Sequence, residues 1–215
     1  METSQTTTGI GEAAAMLDAL RTSIHKAMVG QSAVIEQVLI ALVASGHVLI
    51  EGVPGLGKTL LDRFLFKVEI GYTSSTEEVD VVIRATDSQA GNELPLAQVT
   101  PCLDGDGVMK LQQLAAQQRV DTQVVDYAVR ITRATRDYPG LAFGASSRGA
   151  LALVRGGRAA ALIDGRDYVT PDDIKRVALP ALRHRVALAP DALLEGRKTN
   201  ELLADVIETV AAPRV

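Results

Sequence analysis

The chain has 215 residues, a mass of 22.8 kDa and a formal net charge of −4 at pH 7. Hydrophobic residues make up 47 % of it and charged residues 22 %, which excludes a disordered or fibrous protein and predicts a globular fold of one or two domains. A mildly acidic chain with 3 % aromatic residues also argues against a nucleic-acid-binding protein.

The redox and membrane signals of the sequence point to the cytoplasm. The single cysteine, Cys102, excludes an internal disulfide and a zinc site built from cysteines. The first residues lack the basic and apolar regions of a secretory signal. The longest apolar run, at residues 38–44, is far shorter than the roughly 20 residues that a membrane span needs. We therefore expect a cytoplasmic protein with no membrane partner.

Two helices and a strand are predicted before the first glycine-rich segment. Apolar residues at helical spacing predict helices over residues 13–28 and 31–45. The run HVLIE at residues 47–51 is short, apolar and followed by glycine and proline, which is typical of a buried strand in a parallel sheet.

The segment that follows this strand, GVPGLGKT at residues 52–59, fits the phosphate-binding pattern G-x-x-x-x-G-K-[ST]. Gly52, Gly55 and Gly57 leave no side chain between the backbone N–H groups and an anion. A helix that begins near Lys58 would add its positive dipole end. Lys58 is expected to contact the β and γ phosphates, and the Thr59 hydroxyl is expected to bind Mg²⁺.

The acidic strand end that such a site uses to hold the metal and orient water is missing. Residues 81–83 are apolar but lead only to Arg84, and residues 161–164 are predicted at the end of a helix. The sequence therefore predicts nucleotide binding with hydrolysis near the background rate. The remaining candidate carboxylates follow no apolar strand and are interpreted as solvated loop residues: Asp80, Asp87, Asp104 and Asp106.

From about residue 77 onward the pattern predicts helices. They cover residues 111–118, 122–137, 148–162 and 200–210, with a further short helix that begins at Pro171. Ser146 and Thr170 are predicted to cap two of these helices. Gly156 and Gly157 are expected to weaken the helix that contains them, and Pro180 is expected to end or kink its own.

Several segments together resemble the MoxR family of AAA+ ATPases along most of the chain: VGQ before the second helix, GVPGLGKT, LDRFLFKVEIGY, VVDYAVRITRATRDYP, GASSRGALALVR and DGRDYVTPDDIKRVALPALRHRV. The resemblance implies an α/β fold in which a P-loop NTPase (AAA+) core precedes an all-helical lid domain. It divides the chain into a core remnant at residues 1–76 and a lid with a C-terminal tail at residues 77–215.

The resemblance also indicates that the core is truncated. In the family, the segment similar to LDRFLFKVEI lies well downstream of the P-loop, past the strands that carry Walker B and sensor 1, whereas here it follows directly. Residues 52–66 just meet the crossover of about 10–12 residues that a parallel strand pair requires. We therefore expect a helix over residues 58–66 to return a strand at residues 67–70 beside residues 47–51, with an uncovered sheet face.

The family assigns roles to individual positions. Arg63, in DRF, matches the arginine finger that a subunit offers to its neighbour, and Arg148, in GASSRG, matches the sensor 2 arginine that reaches the γ-phosphate of its own subunit. Without those roles, Arg63 is a surface arginine and Arg148 is a cation in a first helical turn, which opposes the helix dipole unless an anion lies nearby. The resemblance assigns nucleotide binding to Gly52, Pro54, Gly55, Gly57, Lys58, Thr59 and Gln31, with Thr59 as the metal ligand.

Two functions remain open from the sequence. The resemblance implies an ATP- and Mg²⁺-binding protein with a chaperone-like remodelling role, a ring of identical subunits and a partner that contains a von Willebrand factor A domain. The alternative is a non-catalytic helical interaction module with a vestigial P-loop. A nucleotide-binding assay distinguishes them.

Overall fold

The structure, a computed structural model, describes residues 2–28, 30–51, 61–72, 74–86 and 101–214. Within these ranges the helices are α1 (Glu2–Ala27), α2 (Ser32–Val43), α3 (Ser75–Thr86), α4 (Gly105–Ala116), α5 (Thr122–Ala134), α6 (Ser147–Ile163), α7 (Pro171–Leu182), α8 (Pro190–Leu194) and α9 (Thr199–Thr209). The strands in the same ranges are β1 (Val48–Glu51), β2 (Phe66–Glu69), β3 (Leu141–Phe143) and β4 (Ala187–Leu188). Residues 52–59 and Asp87 lie outside the described residues.

The predicted pairing of two parallel strands, one before and one after the glycine-rich segment, is confirmed. β1 and β2 pair in parallel, with Val48 opposite Phe66 and Glu51 opposite Glu69. The predicted helix over residues 58–66 is wrong in its described part, because Leu61–Arg63 form one 3-10 turn and Phe66 already belongs to β2. The Leu65 amide donates to the His47 carbonyl at 2.8 Å, so the chain is already paired with the strand there.

β2 is covered more fully than the sequence suggested. Phe66 and Val68 of β2 are completely buried, and α2 and α7 both pack against β2. The expectation of an uncovered sheet face is therefore wrong for β2. The reason is that α7, a helix of the predicted lid, packs directly on the remaining core strand.

The helix α6 is the centre of the second half of the chain. It packs against α1, α2, α4, α5 and α7, and its residues Leu153, Ala160 and Leu162 are fully buried. The predicted caps are confirmed. The Ser146 side chain accepts a hydrogen bond from the Arg148 amide, and Thr170 begins α7 in a reciprocal capping box with Asp173.

Gly156 and Gly157 have a packing role that helix propensity did not reveal. Both are buried in α6. A Cβ atom added at Gly156 would lie 2.8 Å from Cζ of Phe66, and one added at Gly157 would lie 2.9 Å from Cδ1 of Ile174. The glycines therefore let α6 approach β2 and α7 closely, and the predicted weakening, which applies to exposed helix interiors, does not describe them.

We expect Gly156→Ala to destabilise the fold by about 1–2 kcal/mol, because overpacking against Phe66 outweighs the gain of about 1 kcal/mol in helix propensity. Gly11→Ala is the matched control, because Gly11 is exposed on α1 and an added Cβ would meet nothing within 4 Å. That control should be neutral or stabilising. Urea unfolding followed by circular dichroism measures both, and equal stabilities of the two variants would contradict the packing explanation.

Four other expectations differ from the structure. The predicted all-helical lid contains a small antiparallel pair, in which β3 and β4 place Leu141 opposite Leu188; strands this short carry no alternating pattern. Pro180 does not end α7, which continues to Leu182; the alternative, a kink at Pro180, stays a prediction. Asp80 lies on α3, not in a loop. Asp104 and Asp106 likewise belong to α4, as its N-cap and in its first turn.

Candidate functional site

A pocket of about 400 Å³ lies at the N-terminal end of the β1–β2 pair. One wall is formed by the three residues directly before β1, which are Ser45, Gly46 and His47, and another is formed by α6. Its charged lining residues among the described positions are mostly arginines, with one carboxylate: Asp62, Arg63, Arg148, Arg155 and Arg185. We call these five residues and the space between them the arginine pocket.

Asp62 is the shared acceptor of the arginine pocket. Its Oδ2 accepts from Nη1 of Arg148 at 3.1 Å, and its Oδ1 accepts from Nε of Arg185 at 3.1 Å. The two arginines differ in environment, because the Arg148 side chain is 63 % exposed whereas that of Arg185 is 3 % exposed. Asp62 therefore supplies the anion that a cation at the start of α6 requires.

Arg185 makes further hydrogen bonds from its buried position. Its Nη2 donates to the carbonyl oxygens of Asp62 at 3.1 Å and Phe64 at 2.7 Å, and its Nη1 donates to the Leu65 carbonyl at 3.2 Å. Burial lowers the pKa of Arg185, and the charge of Asp62 opposes that effect. The guanidinium group stays charged because arginine is not deprotonated in proteins.

The other two arginines of the pocket come from different elements. Arg63 ends the 3-10 turn and is exposed. Arg155, about two turns beyond Arg148 on α6, donates to the carbonyl oxygens of Ala44 at 2.6 Å and Ser45 at 3.0 Å. Those carbonyls follow the C-terminus of α2, so Arg155 is held against a helix end whose dipole favours a cation.

The structure thus brings together Arg63 and Arg148 and places Gln31 elsewhere. Gln31 has a left-handed backbone (φ 57°) before α2, and its Nε2 donates to the Gly71 carbonyl at 3.0 Å. Gly71 follows β2, so this contact lies at the C-terminal end of the strand pair. A four-residue strand is about 13 Å long at 3.3 Å per residue, which separates Gln31 from the arginine pocket. The predicted ligands at residues 52–59 lie outside the described residues.

Sequence reasoning did not single out Asp62, Arg155 or Arg185. Asp62 and Arg185 are 123 positions apart, and no periodic pattern connects such positions. A metal site is not found in the described part of the chain either, where no three His, Cys, Asp or Glu side chains are grouped to hold an ion. The same described part contains no helix that is long and apolar enough to cross a membrane.

Comparisons with known proteins identify the family. Residues 133–206 match the family model described as the AAA lid domain. Chaperone MoxR1 of Mycobacterium tuberculosis is 38 % identical over 174 residues, which cover 77 % of this chain and 44 % of that protein. The chain belongs to the MoxR family of AAA+ ATPases.

Further similarities agree with this MoxR-family assignment. YeaC of Bacillus subtilis, named an uncharacterized protein, is 36 % identical over 76 % of this chain and 49 % of its own length. The chain spans about half the length of the curated relatives it matches. A solved structure from Cytophaga hutchinsonii, named as a candidate ATPase, aligns over 100 % of both chains with a TM-score of 0.87 at 19 % identity, which shows the fold. The predicted family and fold class are confirmed.

Proposed function

We propose that this MoxR-family chain binds ATP or ADP with Mg²⁺, using the phosphate-binding segment at residues 52–59 together with the arginine pocket. The observation that carries the proposal is that Arg63 and Arg148 line one pocket. Guanidinium groups match phosphate oxygens in charge and geometry. The volume of the pocket, about 400 Å³, is in the range of about 300–1,000 Å³ that small-molecule sites have.

Chain length supports one combined site. Lys58 precedes Leu61 by three residues, so their Cα atoms lie within about 11 Å of each other whatever the path between them. Leu61 directly precedes Asp62, the acceptor of Arg148. Lys58 and Arg148 can therefore reach one nucleotide, while Arg63 remains for the nucleotide of a neighbouring subunit.

The proposed roles of the residues follow the family. Lys58 contacts the β and γ phosphates, and Thr59 binds Mg²⁺, while Gly52, Pro54, Gly55 and Gly57 shape the loop. Arg148 reaches the γ-phosphate of its own subunit after it exchanges Asp62 for phosphate. Arg63 points to a neighbouring subunit as an arginine finger. Gln31 remains a candidate near the C-terminal end of β1, from which residue 52 follows.

The wider functional setting is also a proposal. We infer a chaperone-like role, a ring of identical subunits, a partner with a von Willebrand factor A domain and a cytoplasmic location. The division into a core at residues 1–76 and a lid at residues 77–215 belongs to the same proposal. ATP hydrolysis is not part of the proposal, because the sequence offers no acidic residue at a strand end to orient the attacking water.

Lys58→Ala tests the proposal. It should weaken ATP binding about 10- to 100-fold, because a hydrogen bond to a charged group contributes about 1.5–3 kcal/mol. Lys110→Ala is the control, since Lys110 lies on α4 with an exposed side chain and should leave the affinity unchanged. Titration with a fluorescent ATP analogue measures all three proteins. Equal affinities for Lys58→Ala and wild type, or no wild-type binding at millimolar nucleotide, would favour the non-catalytic interaction module.

A further inference from the structure

A single guanidinium group of the predicted lid makes several hydrogen bonds to the predicted core. Arg185 follows α7, yet its donors reach the core turn that carries Arg63, bonding the Asp62 carboxylate and the carbonyls of Asp62, Phe64 and Leu65. Its side chain is 3 % exposed. The planar guanidinium of arginine has five donors and can bridge several acceptors at once. The compact ammonium group of lysine cannot span the same set of acceptors.

The backbone around Arg63 has few other restraints among the described contacts. The Phe64 amide closes the 3-10 turn on the Leu61 carbonyl at 3.0 Å, and the Leu65 amide joins the His47 carbonyl. The carbonyls of Asp62 and Phe64, on either side of Arg63, both accept from Nη2 of Arg185, and the Phe64 carbonyl oxygen also lies 3.1 Å from Nε2 of His184, another lid residue. The direction in which the Arg63 side chain leaves the surface therefore depends on a residue of the lid.

We infer that Arg185 is a positioning residue, which fixes the backbone on both sides of Arg63 and thereby couples the lid to the orientation of that arginine. Arg148 reinforces the coupling, because it also comes from the lid and shares the Asp62 carboxylate. Any lid movement that displaces Arg148 acts on the residue directly before Arg63. The use of this coupling in ATP-dependent assembly rests on the proposed function; the positioning itself does not.

A spin label at residue 63 tests the positioning. In a Cys102→Ser background, which removes the exposed thiol, Arg63→Cys carries a nitroxide whose mobility is measured by electron paramagnetic resonance. Arg185→Lys should shorten the rotational correlation time at least about twofold, since nanosecond loop motion becomes allowed. Arg183→Ala is the matched control, because Arg183 is also a buried lid arginine but pairs with Glu69 at 2.8 Å. It should leave the label unchanged.

Two results would overturn the inference: unchanged mobility in Arg185→Lys, or an equal increase in Arg183→Ala, which would indicate general loosening of the lid. Circular dichroism confirms that each variant is folded at the temperature used. If Arg185→Lys does not fold, hydrogen exchange of the wild-type protein tests the positioning role instead. The amides of residues 64 and 65 should exchange as slowly as those of β2, and exchange at the rate of an open loop would refute the positioning.

A separate measurement tests the functional consequence. Light scattering with and without ATP should show that Arg185→Lys reduces ATP-dependent association as strongly as Arg63→Ala does. The double variant should show no further loss, because both changes act on one element. A mobile label combined with unchanged association would support the positioning and reject the arginine-finger role, so the two failures are distinguishable.

Discussion

Replacing Asp173 with alanine should lower the free energy of unfolding by about 2–4 kcal/mol, because it removes a buried carboxylate that pairs with Arg166 and caps α7. The Asp173 side chain is 3 % exposed. Its two oxygens accept from Nη1 and Nη2 of Arg166 at 2.7 and 2.6 Å, and this contact is the main cause that raises the pKa of Arg166. Asp173 also accepts from the Thr170 amide at 2.8 Å, so the same substitution breaks the cap of α7.

Asp172→Ala is the control for this prediction. Asp172 is the neighbouring acidic residue in the first turn of α7, but it is exposed. Its loss should cost only about 0.3–1 kcal/mol through the helix dipole. Urea unfolding followed by circular dichroism at pH 7 compares both variants with the wild-type protein. Similar destabilisation by the two substitutions would show that the buried pair contributes no more than a surface charge.

Asp172 and Asp173 show what a local sequence pattern can and cannot predict. The residues from Thr170 to Asp173 correctly predicted the start of α7, since a capping hydroxyl, an N-terminal proline and acidic residues all lie within one turn. The pattern treated Asp172 and Asp173 alike. Only the packed structure separates them, because it brings Arg166 onto one carboxylate and leaves the other in solvent.

The same limit applies to the fold. The parallel pair of β1 and β2 was predictable, because crossover length and two apolar runs suffice to define it. The packing of α7 on β2 was not predictable, because it joins segments that are more than a hundred residues apart in the sequence. Gly156 and Pro180 show that tertiary contacts override propensity. Both lie in buried helix positions that single-residue scales disfavour.

The candidate site divides in a similar way. Residues 52–59 were identified from spacing alone, since the phosphate-binding pattern is contiguous. Arg63 and Arg148 came from the family resemblance, and the structure places both in the arginine pocket. Asp62 and Arg185, which organise that pocket, carry no sequence signal of their own. Their importance arises from burial and from hydrogen bonds that form only when the lid meets the core.

His184, beside Arg185, should make the protein sensitive to mild acid. The residue is 8 % exposed, and its Nε2 lies 3.1 Å from the Phe64 carbonyl oxygen and 2.7 Å from Nη1 of Arg185. Burial, and secondly the positive charge of Arg185, lower the pKa of His184 to about 4. In the unfolded chain the pKa of histidine is about 6.5. The folded state therefore favours the neutral ring.

The sign of the effect follows from proton linkage. Between pH 6.5 and 4 the unfolded chain binds more protons at this residue than the folded chain does, so the free energy of unfolding falls as the pH falls. The contribution is fully present above about pH 6.5 and is lost as the pH drops towards 4. By pH 5 the loss should be about 2 kcal/mol relative to pH 8.

Other acidic and basic groups titrate over the same range, so the prediction concerns a difference between proteins. Between pH 8 and pH 5 the wild-type protein should lose about 2 kcal/mol more than His184→Gln, because glutamine takes up no proton. His47→Gln, which replaces an exposed histidine, should behave as the wild-type protein does. Urea unfolding at the two pH values measures all three. If His184→Gln loses as much stability on acidification as the wild type, the buried ring is not the group whose protonation opposes the fold.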